Sequence, residues 1–405
     1  APNVSAPSEI VLRITATDEH GTSSSDTVTL TVQDTARSGR SPQGIPNDGK
    51  DRRARARDKR HRNRIMVDSR EVRAYDGANN NLTNPEWGAT FEQLQRWGTA
   101  DYADQIEQLA GPDRPSARVV SNAIADQTEG TSVPNTVNGT DFVWQWGQFV
   151  DHDIDLTDGA EESADILVPE GDLFFDPNST GAQVIAFNRA LFDQATGTDA
   201  SNPRQQENEI TSWLDGSMVY GSDDDRNAAL RVSGTPLLKT SNGNLLPFNT
   251  DALGNANGFV TIPGSLFLAG DVRVNEQLGL TVMHTLFVRE HNRIAAKLLN
   301  ANPTADQDAV FEATRRLVIA KIQVITYEEW LPALLGPNAL DLYSGYDETV
   351  NPTIFNEFSA AAFRLGHSML NEQLLRLDAA GDEIFLADGN DNRLDFDYSN
   401  AEFGT

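Results

Sequence analysis

The sequence predicts a mainly α-helical domain preceded by the last strands of a β-sandwich module, and three observations carry that reading. Residues 8 to 33 alternate apolar and polar side chains with the period of a half-buried strand. Residues 34 to 64 lose all apolar periodicity, which marks a boundary. Long segments beyond it repeat apolar residues at spacings of three and four, the period of an amphipathic helix.

The strand segment places Ile10, Leu12, Ile14 and Ala16 on one face, turns through Asp18, Glu19, His20 and Gly21, and resumes with Val28, Leu30 and Val32. A hairpin alone is marginal and an immunoglobulin-like sandwich needs about 100 residues, so residues 1–36 read as a partial Ig/cadherin-like module. Residues 37–64 read as a basic flexible linker. Its stretch from Lys50 to Arg64 holds nine Lys or Arg against two Asp, a solvated linker or, more sharply, a protease-sensitive or anionic-surface tether. The remainder, 65–405, is the main domain. In it Leu280, Met283, Phe287, His291, Ile294 and Leu298 share a helix face, and Leu317, Val318, Ile322 and Ile325 do the same between Phe311 and Trp330. Asn351-Pro352 reads as a cap and first-turn proline that open a helix through Phe358, Phe363 and Leu370.

Composition narrows the function. With 39% hydrophobic residues in 405, the chain can fill at least one large core. A net charge of −28 argues against nucleic acid, whose phosphates require a basic face. The absence of cysteine excludes disulfides, zinc-thiolate sites and thiol catalysis. No run approaches the roughly 18 apolar residues of a membrane helix.

Six histidines are present, and one sits in "WQWGQFVDHDIDLT", residues 144 to 157. Gln148 and His152 are four apart and share a helix face, flanked by Asp151, Asp153 and Asp155. Buried charges need partners or a metal. Asp151, Asp153, Asp155 and Glu162 have the spacing of an EF-hand, but Leu156 replaces its glycine; a helix end with solvated acids is the plainer alternative. His284 and His291 lie on the apolar helix, where a buried, hydrogen-bonded imidazole is the commoner role.

Four motifs in order carry a resemblance: "WGQFVDHDIDLT", "TSWLDGSMVYGS" at 211–222, "AGDVRVNEQLGLTVMHTLFVREHNRIA" at 269–295 and "FRLGH" at 363–367. They resemble the distal helix, calcium loop, catalytic-arginine segment and proximal histidine of the animal-type haem peroxidases, the peroxidase-cyclooxygenase superfamily. The resemblance implies a secreted, bacterial-like haem peroxidase, a mainly α fold, and a haem b-derived cofactor with Ca2+. It implies His152, Arg273 and Gln148 as catalytic residues and His367 as the iron ligand, with Arg364 on a haem propionate. Asp151 and Glu276 would form ester links to the haem. Asp153, Thr211, the Trp213 carbonyl, Asp215 and Ser217 would bind calcium through oxygen, as a hard cation requires. The chemistry agrees: peroxide cleavage needs a neutral imidazole to move a proton and a fixed cation to receive developing negative charge.

The implied reaction reduces hydrogen peroxide and oxidises bromide, iodide, thiocyanate or a phenolic donor through a ferryl intermediate. Gln277 stands where chlorinating members carry methionine, which argues against chloride. Arg364 stands where the lipid-oxygenating branch has a tyrosine, which disfavours a haem lipid dioxygenase. The family's asparagine segment, which orients the proximal histidine, is not found before Thr405, so the expectation is a peroxidase domain lacking its C-terminal part. The other reading is a calcium-binding adhesion or matrix protein with a non-catalytic peroxidase fold, its N-terminal module serving matrix or cell-surface association.

Overall fold

The computed structural model describes the strands at 8–17 and 23–32, residues 73–382 apart from 112, 126–132, 136–138, 257–263, 265, 372, 375–377 and 379, and residues 396–397. β1 (Ser8–Thr17) and β2 (Ser23–Val32) pair antiparallel, in register from Ser8 with Val32 to Thr17 with Ser23. The alternation at 8 to 33 therefore does mark two strands. The turn between them and the basic linker at 37–64 lie outside the described residues, and a sandwich module is not shown by this one strand pair.

The remaining strands are short antiparallel ribbons: β3 (Glu92–Gln93) with β8 (Glu207–Asn208), β4 (Gly159–Ser163) with β7 (Asn188–Ala190), and β5 (Ile166–Leu167) with β6 (Val184–Ile185). β9 (Gln373–Leu374) pairs with β10 (Phe396–Asp397). Helices supply the frame: α1 (Ala117–Ala125), α2 (Phe142–Ile154), α3 (Ser217–Tyr220), α4 (Asp224–Leu230), α5 (Leu278–Ala301), α6 (Gln307–Val324), α7 (Leu331–Leu335) and α8 (Asn356–Ala360). The domain is mainly α, as its periodicity predicts.

Two compact units divide these elements. One gathers Val219–Gln277 and Thr281–Ile325; the other takes Arg73–Met218, Leu278–Leu280 and the segment from Thr326 onward.

In the first unit the predicted apolar stripe of α5 is real, with Met283, Phe287, His291, Ile294 and Leu298 all buried. The His291 ring meets Phe311 of α6 at 4.9 Å and Tyr220 at 5.4 Å between centroids. Asp306 caps α6 by accepting the Ala309 amide at 2.8 Å. Val318 and Ile322 of the second predicted stripe are buried, whereas Leu317 and Ile325 are only half-buried, and Ile325 opens a π-turn, Ile325–Trp330, that adds a residue to the winding beyond it. Thr326 and Trp330 take the inward positions instead.

In the second unit α2 is nearly enclosed: Trp144, Trp146, Phe149 and Val150 are buried. The Trp330 indole donates to the Val143 carbonyl at 2.7 Å and Trp146 to the Thr326 hydroxyl at 3.2 Å. Gly147 allows this approach, since a Cβ there would meet Trp330 at 3.2 Å.

The helix expected to open at Asn351-Pro352 does not. Asn351 accepts the Thr353 amide at 3.0 Å, a local turn, and the chain runs on extended. Gln95 takes its backbone, donating to the Ile354 carbonyl at 2.9 Å and accepting from Asn356 at 2.8 Å. Helix begins only at Asn356, and Phe363 and His367 lie on a 3₁₀ segment, Ala362–Met369. Pairing across 260 residues of sequence outweighed a local cap.

Candidate functional site

α2 ends where its chemistry begins. Gln148 is half-buried, while Asp151, His152 and Asp153 are 5%, 3% and 0% exposed. Asp155 turns extended and closes the helix through its amide to the Asp151 carbonyl at 2.9 Å. Asn208, fully buried, satisfies the freed backbone: its amide donates to the Ile154 carbonyl at 2.7 Å and its oxygen accepts from Leu156 at 2.9 Å.

Asp153 points into the loop at 211–217. Its Oδ1 accepts from the Ser217 hydroxyl at 2.9 Å and the Met218 amide at 3.1 Å, and its Oδ2 accepts from the Gly216 amide at 3.1 Å. Gly216 adopts φ of 77°, a left-handed turn that suits glycine and directs its N–H to the carboxylate. The Thr211 hydroxyl donates to Asp215 Oδ2 at 3.2 Å, and the Trp213 carbonyl accepts the Asp215 amide at 2.8 Å. Thr211, Asp215 and Ser217 are all buried. The five residues expected to share calcium are thus brought together. Burial pushes Asp153 up to about 6, against the opposing hydrogen bonds from Met218, Gly216 and Ser217. Among the described residues no group of three or more His, Cys, Asp or Glu forms a metal cluster. This donor set is of another kind: two buried carboxylates, two hydroxyls and a carbonyl, all oxygen, which fits a hard cation.

Glu162, twelfth in the EF-hand count, lies on β4 and pairs with Arg189 at 2.8 Å and Arg204 at 2.5 Å. Asp151 and Asp153 are helical, so no EF-hand loop forms.

On the 3₁₀ segment, which packs against α2, Arg364 donates from Nε to the Ser359 carbonyl at 2.7 Å and from Nη2 to Asp155 at 3.2 Å. Its Nη1 lies 3.6 Å from Asp151. His367 is exposed on that segment, its pKa lowered by partial desolvation and by the charge of Arg364, which favours the neutral, metal-ligating imidazole. That donor chemistry fits a haem iron.

Arg273 and Glu276 belong to the other compact unit. Arg273 is 9% exposed, and Asp271 receives its Nε and Nη2, each at 2.9 Å. A planar cation held by two parallel bonds is pre-oriented. Glu276 is half-buried, its amide donating to the Arg273 carbonyl at 2.9 Å, and Gln277 is buried. His284 and His291 are buried on α5. The Pro236 carbonyl can only accept, so His291 Nε2 carries the proton at 2.9 Å and Nδ1 accepts from the Tyr220 hydroxyl at 2.8 Å.

Sequence reasoning missed Ser359, Asn208 and Asp271, and weighed Asp155 only as a position of an EF-hand loop, whereas it pairs with Ser359 and Arg364. Only Asp271 had a local signal, two residues before the arginine it holds.

The family model described as animal haem peroxidase matches residues 72–399, and the chain belongs to that family. It is 38% identical over 362 residues to the peroxidasin homolog of Mus musculus, covering 77% of this chain and 24% of that protein. To peroxidase mlt-7 of Caenorhabditis elegans it is 36% identical over 350 residues, covering 78% of this chain and 45% of that protein. The chain thus spans about a quarter to under half the length of these relatives. Peroxidase A from Dictyostelium discoideum superposes with a TM-score of 0.73 at 30% identity, covering 83% of this chain and 65% of that one. Fatty acid alpha-dioxygenase of Oryza sativa, at 21% identity and a TM-score of 0.62, shares the fold.

Proposed function

We propose that this chain supplies the peroxidase chemistry of a secreted haem enzyme that reduces hydrogen peroxide and oxidises a small anion or a phenolic donor. The observation that carries the reading is His152, buried at the end of a helix whose next residue, Asp153, is locked into the loop at 211–217. That lock fixes the imidazole's position through the backbone.

His367 would hold the haem iron, Arg364 a haem carboxylate, and Asp151 and Glu276 would form ester links to the ring. When bound, the haem supplies the two-electron reduction of peroxide. His152 takes the proton from one peroxide oxygen and returns it to the departing oxygen, which requires a neutral ring. Arg273, held by Asp271, stays charged at any working pH and stabilises the negative charge that develops on the leaving oxygen. Gln148, on the same face of α2 as His152, hydrogen-bonds water or a halide. Calcium at Asp153, Thr211, Trp213, Asp215 and Ser217 ties α2 to its loop. Gln277 favours bromide, iodide or thiocyanate over chloride as donor. Residues 1–36 as a partial sandwich module, with 37–64 as its linker, would serve surface or matrix association.

The test is reconstitution with haem and calcium. A Soret band that disappears in His367→Ala, together with peroxide consumption, is the expected result. An unaltered chain that develops no Soret band overturns the reading.

A further inference from the structure

The first compact unit holds a cavity of about 270 Å3 lined by none of the residues given a role above. Part of its wall is apolar: Leu268 is buried, Pro247 half-buried, and Phe248 stacks on Phe267 with ring centroids 5.0 Å apart. The rest is polar and carries one charge of each sign, Lys239 and Asp251. Side chains behind the wall hold its backbone. Asn292 accepts the Leu238 amide at 2.8 Å and donates to the Leu238 carbonyl at 3.0 Å, while the Lys239 amide donates to the Leu230 carbonyl at 2.7 Å. Asn249 bridges the turn that carries Asp251, donating to the Leu253 carbonyl at 2.8 Å and accepting its amide at 3.1 Å. Within that turn Ala252 is held at φ of 52°, a left-handed conformation uncommon for alanine.

We propose that this cavity binds a free α-amino acid with an apolar or aromatic side chain, its carboxylate on Lys239, its ammonium on Asp251 and its side chain against Phe248, Pro247 and Leu268. The inference is independent of the haem reading and uses none of its residues. Among the described residues neither Lys239 nor Asp251 has an ion-pair partner, and the two do not pair with each other although they line one cavity. In a chain with 60 acidic residues against 32 basic ones, a lysine without a carboxylate partner is the less expected of the two. A wall with a cation alone would select anions, and one with a carboxylate alone would select cations. One charge of each sign, held apart by the cavity, selects a ligand that carries both and disfavours ligands that carry one. The volume lies below the roughly 300–1,000 Å3 of sites for drug-sized ligands, which restricts the ligand to a small one. Because the backbone beneath both charged residues is already fixed, binding orders little beyond the two side chains themselves.

The experiment titrates three probes into the full chain and its variants by ligand-observed NMR: L-phenylalanine, 3-phenylpropionate, which lacks the ammonium, and phenethylamine, which lacks the carboxylate. The unaltered chain should bind L-phenylalanine with a Kd on the order of 1 mM and each analogue about tenfold more weakly, the worth of one charged contact. Lys239→Met should weaken L-phenylalanine and 3-phenylpropionate about tenfold and leave phenethylamine unchanged. Asp251→Asn, at an exposed position where folding is not at stake, should weaken L-phenylalanine and phenethylamine and leave 3-phenylpropionate unchanged. No saturable binding of L-phenylalanine by the unaltered chain at about 10 mM overturns the inference. So does a loss that falls equally on all three probes in either variant, since that assigns the residue to the shape of the wall and not to recognition of a charge.

Discussion

Asp153 accepts two backbone amides and a hydroxyl while wholly removed from solvent, and desolvation still dominates, raising its pKa to about 6. A bound dication would offset that cost better than any neutral donor. On the proposed calcium reading, Asp153→Asn should therefore lower calcium affinity at least tenfold and cancel most of the rise in Tm that calcium is expected to give the unaltered chain. Isothermal titration and thermal unfolding with and without chelator measure both. Asp155, two residues further on, has the same residue type but a different fate, since Ser359 and Arg364 supply its counterparts. Their sequence context, Asp-Ile-Asp, does not distinguish them. The family resemblance marked Asp153; the local spacing suggested for Asp155 only an EF-hand position and nothing of its actual partners, which lie more than 200 residues away.

At the scale of elements, α5 shows why one histidine on an apolar stripe is not a metal ligand. His291 is buried between Tyr220 and the Pro236 carbonyl, and burial with the nearby charge of Arg231 depresses its pKa from 6.5 to about 4. The folded ring stays neutral down to about 4, whereas the unfolded chain protonates near 6.5. The unfolded state thus binds the extra proton in that window, so the stabilisation present above 6.5 is lost as pH falls towards 4, by up to roughly 3 kcal/mol. Urea unfolding of the unaltered chain and of His291→Gln between pH 4 and 7 should show a shallower pH slope for the variant, whatever its absolute stability. Close approach also sets which residues an element tolerates. A Cβ on Gly279, at the start of α5, would meet the amide end of the Gln145 side chain, which would have to shift to admit it.

Over the whole molecule, 60 acidic residues against 32 basic ones leave a net charge of −28, and much of that charge repels itself in the compact state. Screening shortens the range of this repulsion to about 8 Å at physiological ionic strength. Raising monovalent salt from low to physiological concentration should therefore raise Tm in a chelator-containing buffer, as read by calorimetry; a falling Tm would mean that ion pairs such as those of Glu162 dominate. The membership of the chain in the animal haem peroxidase family is also a property of this scale, resting on motifs spread in order from residue 146 to 367 and on a match over residues 72–399.

By itself the sequence determined the helices of α5 and α6, because 3.6-residue periodicity is local and the buried stripe follows from it; α2 was marked by its resemblance to the family's distal helix. It also determined the candidate residues, since their types and spacings are legible without coordinates. The tertiary structure alone decided that Asn351-Pro352 stays extended against Gln95, that a π-turn follows Val324, and that Asp155 and Ser359 hold Arg364. The physical reason is common to all three. Each is settled by a hydrogen bond or packed ring supplied from distant sequence, and such a partner overrides the local preference that sequence reading detects.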